Sequence, residues 1–127
     1  MIDFDWKKFY YVGLHLMDYS DNEEYQRSAI GRFYYACFGI AKQYFEDTRE
    51  HVLPSVNSHS ILIKEFEKSN FRIERQLGQY LRHIRRYRNN SDYDLRFRPS
   101  NVRKSKNIAT AVFAIFTKLD KHPLYKK

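Results

Sequence analysis

The chain has 127 residues, the length of one ordinary domain, with 43% hydrophobic and 30% charged side chains, so it can bury a core without staples. A single cysteine excludes an internal disulfide framework, and no apolar run is long enough to span a bilayer, the longest covering residues 108–116. The net charge of +8 is unevenly placed: residues 1–71 carry 8 basic against 11 acidic side chains, whereas residues 72–106 carry 11 against 3.

Between residues 5 and 19, Trp6, Phe9, Tyr10, Leu14 and Met17 recur at spacings of three and four, which predicts an amphipathic helix. The pattern stops near Ser20. Asp21 or Asn22 can cap a second helix, with Glu23 and Glu24 in the first turn, where the helix dipole favours carboxylates; it runs to about Tyr44 or Phe45. Residues 30–40 are apolar nearly all round, so this helix is expected at the centre of a bundle, with Cys37 as a buried hydrophobe and not a reactive thiol. Residues 46–57, with Pro54, read as a loop. A short third helix over 57–68 presents Ile61, Leu62 and Phe66. The fourth covers 72–89, where Asn90, Ser91, Asp92 and Asp94 weaken it, and Pro99 suits the first turn of a last helix reaching about Leu119. Only 4 glycines and 3 prolines interrupt the chain. The expectation is an all-α, up-and-down bundle of about five helices forming one domain over residues 1–127. The opening carries Asp3 and Asp5 in place of a basic leader, so the expected location is cytoplasmic, with no membrane contact.

On the fourth helix, at 100° per residue, Leu77, Leu81, Ile84 and Arg88 fall within a sector about 60° wide. Arg88 therefore continues the apolar stripe, while Arg72, Arg75, Arg82 and Arg86 lie opposite and Arg85 lies between. A guanidinium on a core-facing stripe needs a partner or an interface, because a buried unpaired charge is costly. Asp92 or Asp94 can supply that partner as a helix-end salt bridge. The basic face carrying Arg82, Arg85 and Arg86, interleaved with Tyr80, Tyr87 and Tyr93, suits contact with RNA, the arginines to phosphates and the tyrosines as stacking platforms.

The run Arg85-Arg86-Tyr87-Arg88-Asn89-Asn90-Ser91-Asp92-Tyr93-Asp94 resembles the signature of HEPN domains, in which Arg and a following polar residue precede a His or Tyr a turn or more later. Two further stretches are similar to HEPN proteins: 28–38, with Tyr34-Tyr35-Ala36, and His59-Ser60 ahead of Phe66. Together they cover roughly residues 25–95 in order. The resemblance implies a homodimer whose Arg motifs share a cleft, with Arg88, Asn89 and Tyr93 as catalytic residues of a metal-independent endoribonuclease or toxin-like RNA-binding protein. Arg can grip a phosphate in a bidentate fashion while a nearby base takes the proton of a ribose 2'-hydroxyl. It also implies a nucleotidyltransferase as a partner chain; no motif for that activity is present here.

Tyr93 stands where the ribonucleases hold His, and a phenol with a reference pKa near 10 is a poor base at neutral pH. That departure favours the alternative, a non-catalytic HEPN module that binds RNA or protein as a dimer. Along an unbroken helix Tyr93 would lie about 140° from Arg88, so the pair converges only if the backbone bends over 90–92. His59 reads as a brace for the third helix, and His83 faces neighbours or solvent. His15, His51 and His122 show no metal-ligand spacing, so neither a metal nor a cofactor is expected. A DNA-binding helical protein is a weaker third reading, since no recognition-helix turn stands out.

Overall fold

The second helix does become the centre, and the reason is visible in adjacent side chains. Phe33 and Tyr34 point about 100° apart on a helix, yet both are fully buried, so neighbours must cover two sides of it. In the computed structural model, which describes residues 4–119, the helices are α1 (Lys7–Tyr19), α2 (Glu23–Arg49), α3 (Ser58–Glu67), α4 (Arg72–Tyr93) and α5 (Ser100–Leu119). No strand occurs among the described residues, and the chain is an all-α bundle. Asp3 and His122 lie outside the described residues. Helix α2 touches all four others, and Ile30, Phe33, Tyr34, Cys37 and Ala41 form the middle of the core with Leu62, Phe66, Leu77, Leu81 and Ile84. Cys37 is buried, and burial pushes its thiol far above the usual range, in keeping with a packing role. None of the described helices is long and apolar enough to cross a membrane.

Close approach of α1 to α2 depends on a missing side chain. The Trp6 ring lies over Gly39, and a Cβ there would fall inside the indole.

Two helices run past their expected ends. Helix α2 continues to Arg49, through a polar stretch that reads as loop, because that stretch has partners: Glu46 accepts the Leu53 backbone N–H at 2.8 Å, and Arg49 reaches Glu74 on α4. Glu50 then ends it in the left-handed conformation, φ 52°. Helix α4 continues to Tyr93 without the expected bend. The Ser91 hydroxyl donates to the Arg88 carbonyl, and Arg27 from α2 donates to the carbonyls of Ser91, Asp94 and Leu95 at 2.7, 2.8 and 3.2 Å. Those carbonyls would otherwise lack partners at a helix end. Helices α2 and α4 are thus antiparallel and pinned at both ends by arginines of α2. Arg27 holds the C-terminal end of α4, and Arg49 holds Glu74 in its first turn.

Candidate functional site

One turn before the Arg27 pin, α4 presents Arg88 to α2. Leu77, Leu81 and Ile84 are fully buried, and the Arg88 side chain on the same stripe is 21% exposed. Its guanidinium carbon lies 5.6 and 5.4 Å from the ring centres of Tyr34 and Tyr35, and Nη2 donates to the Tyr35 hydroxyl at 3.0 Å. The negative ring faces accept part of the charge that the core cannot solvate. Asp92, one turn on, brings Oδ2 to 2.8 Å from Nε, but out of line with the N–H, so this is a charge contact and not a hydrogen bond. A partly exposed pair at this spacing contributes about 0.3–0.5 kcal/mol. A phosphate, with more charge and bidentate geometry, can displace it.

Beneath Arg88 lies a histidine. His59, in the first turn of α3, is hydrogen-bonded through Nδ1 to the Tyr34 hydroxyl, and its ring stacks flat on Phe38 with centroids 3.8 Å apart. Burial pushes the Tyr34 hydroxyl far above its usual range, so it stays protonated. Burial, then the positive charges of Arg85 and Arg88, hold His59 below its ordinary value of 6.5. The ring is therefore neutral at neutral pH. When Nδ1–H donates to Tyr34, Nε2 can take a proton; when Tyr34 donates, Nε2 carries one. His59 does brace α3, as its position predicts, and it also belongs to the Arg88 cluster. The pointer to that in the sequence was the order of the Tyr34-Tyr35 and His59-Ser60 stretches, since no local spacing joins α2, α3 and α4.

The remaining expected site residues divide. Tyr93 does not converge with Arg88: on the unbroken helix it lies about 140° away, and it is 77% exposed. The bend expected at 90–92 is absent because Ser91 and Arg27 satisfy the backbone there. Tyr87 is partly buried and packs against the core. Its phase on α4, beside the apolar stripe, accounts for this. Asn89 is exposed, and with Arg82, Arg85 and Arg86 it lines a groove of about 350 Å³ between α3 and α4. Arg82 is the paired member, making a bidentate contact of 2.6 Å on each arm with Glu67, whose carboxyl it holds below the usual range. Among the described residues no three His, Cys, Asp or Glu are grouped to hold a metal ion.

The site thus combines a cation on aromatic faces with a neutral imidazole anchored to one of those aromatics, a set able to hold a phosphate and move a proton. No family model, curated protein or solved structure matches the chain.

Proposed function

We propose that this is an RNA-acting protein of the HEPN type, performing metal-independent cleavage in which Arg88 receives the scissile phosphate and His59, in place of Tyr93, moves the proton. The observation that carries the proposal is the Arg88 guanidinium lying over Tyr34 while the same tyrosine holds the neutral His59 ring. In the reaction, Nε2 of His59 takes the proton of a ribose 2'-hydroxyl, and the oxygen attacks phosphorus. The bond from phosphorus to the 5'-oxygen breaks, leaving a 2',3'-cyclic phosphate and a 5'-hydroxyl that has gained a proton. Arg88 stabilises the charge on the pentacoordinate phosphorus. Tyr35, partly exposed, adjoins the site, and a second copy placed across it would give the shared cleft and the homodimer that the resemblance implies. A nucleotidyltransferase in a separate chain belongs to the same proposal as its regulator.

Purified protein incubated with RNA in EDTA tests the site. Arg88→Ala and His59→Gln are each expected to lower the cleavage rate by about 10²–10⁴-fold, and Tyr93→Phe to leave it within a few fold. A cleavage rate lost with Tyr93→Phe but kept in His59→Gln refutes the assignment of the base.

One observation favours a second reading. Arg88 already has Asp92 and Tyr35 as partners, the arrangement expected of a structural arginine in a non-catalytic RNA-binding or protein-interaction dimer. RNA binding without cleavage under any condition would select it.

A further inference from the structure

We infer that the groove between α3 and α4 is a second site, one that grips the phosphodiester backbone of single-stranded RNA and leads it to Arg88. The inference rests on the RNA reading above and adds to it a surface that Arg88 and His59 do not form. Its lining is Ser60, Ile63 and Lys64 from α3 with Arg82, Arg85, Arg86, Asn89 and Asn90 from α4. Four cations and no carboxylate therefore face one space.

Glu67 is ion-paired with Arg82, and its charge is also felt by Lys64. Lys64, Arg85 and Arg86 have no ion pair among the described residues, and the Arg85 Nε–H is buried without a hydrogen-bond partner. A buried donor left unsatisfied lacks a partner, and a turn of this side chain within the groove would bring it to a ligand oxygen. Ser60, Asn89 and Asn90 add neutral donors at the same wall. The volume of about 350 Å³ gives room for roughly one nucleotide unit.

Arg85, one turn from Arg88 on α4, joins the groove to the Arg88 cluster. It lines the groove, and its charge also acts on Tyr34 and His59, as that of Arg88 does. A backbone laid along Lys64, Arg86 and Arg85 therefore passes next to the Arg88 cluster.

The test is fluorescence anisotropy of a labelled 12-nucleotide RNA against the full chain over a series of salt concentrations. Three free cations predict a slope of log K against log salt near −2, from about 0.7 per phosphate neutralised on a single strand. Lys64→Ala with Arg86→Ala, checked for unchanged helicity, is expected to weaken binding at least 10-fold and bring the slope to about −0.7. Glu67→Gln frees Arg82, and is expected to tighten binding several-fold and steepen the slope by about 0.7, a gain that misfolding cannot produce. Unchanged affinity in either variant overturns the proposal, as does a mononucleotide that binds as tightly as the strand. Cleavage with an unaltered KM in the Lys64→Ala, Arg86→Ala protein sinks the groove and spares the cleavage site. RNA held through Lys64 and Arg86 but never cut supports the groove while removing the nuclease.

Discussion

Glu74→Ala should be the most damaging single change outside the apolar core. The Glu74 side chain is 5% exposed and accepts four hydrogen bonds, from Arg49 Nη1 and Nη2 at 2.7 and 2.6 Å, from the Tyr44 hydroxyl at 2.6 Å and from Ser69 at 2.6 Å. Removing one partner of a buried ion pair typically costs about 3–5 kcal/mol, because the other charge is left uncompensated. Arg49 is 32% exposed and rests on the rings of Phe45 and Phe66, so it can turn partly to water while keeping those contacts. That places the expected loss at the lower end, about 3 kcal/mol, with a fall in Tm on the order of 10 °C for a domain of this size. Urea unfolding followed by circular dichroism measures it, with the m-value unchanged. The double variant Glu74→Leu with Arg49→Met removes both charges and should recover at least about 1 kcal/mol relative to Glu74→Ala. A loss under about 1 kcal/mol for Glu74→Ala, or strict additivity in the double variant, refutes the pin.

The same carboxyl sets an acid limit. Burial pushes the Glu74 pKa up, but hydrogen bonds from Arg49, Ser69 and Tyr44 outweigh it, and the net shift is below the ordinary value of 4.5. Its stabilisation is therefore complete above pH 4.5 and disappears as pH falls through the folded-state value.

Three other changes report on separate joints. Arg27→Ala removes the donors to Ser91, Asp94 and Leu95. It should cost about 1–2 kcal/mol, since charged hydrogen bonds contribute more than neutral ones but this group is partly wet. Amide exchange should speed up over 92–97 and not in the middle of α2, and uniform exchange across both would count against a local cap. Gly39→Ala puts a Cβ into the indole of Trp6 and should cost about 1–3 kcal/mol by overpacking. Trp6 is the only tryptophan, so a red-shifted emission reads its displacement directly. For His59 the folded-state pKa lies below 6.5, so the folded protein binds fewer protons than the unfolded chain, and stability falls as pH drops through 6.5 towards the folded value. His59→Gln should flatten that part of the stability profile, and the proposed cleavage should show its acid limb below pH 6.5.

What could be read from the residues was whatever repeats along one helix. The five elements followed from three-and-four spacing, and Arg88 stood out because its phase set it among Leu77, Leu81 and Ile84. What could not be read was fixed by partners distant in the chain. Residues 46–49 and 90–93 are polar and read as loop, yet both are helical, held by contacts with residues 25 or more positions away: Arg49 with Glu74, and Arg27 with Ser91. Local propensity had no access to either. The misplacement of Tyr93 follows from the second of these, because a helix that continues to Tyr93 turns its ring away from Arg88.

The two pins also explain why the site is where it is. An arginine towards each end of α2 fixes the register of α4 in translation, so the residues facing each other between the pins are set without any local signal: Tyr34 and Tyr35 on one side, Arg88 on the other. The pins constrain rotation as well, since Arg27 grips backbone carbonyls and not side chains, and a turn of α4 would carry those carbonyls out of reach. Helix α3 carries His59 in through Phe38 and Tyr34, both on α2. One helix therefore positions both the cation and the imidazole, and loosening either pin should disturb the geometry of Arg88 before it disturbs that of His59.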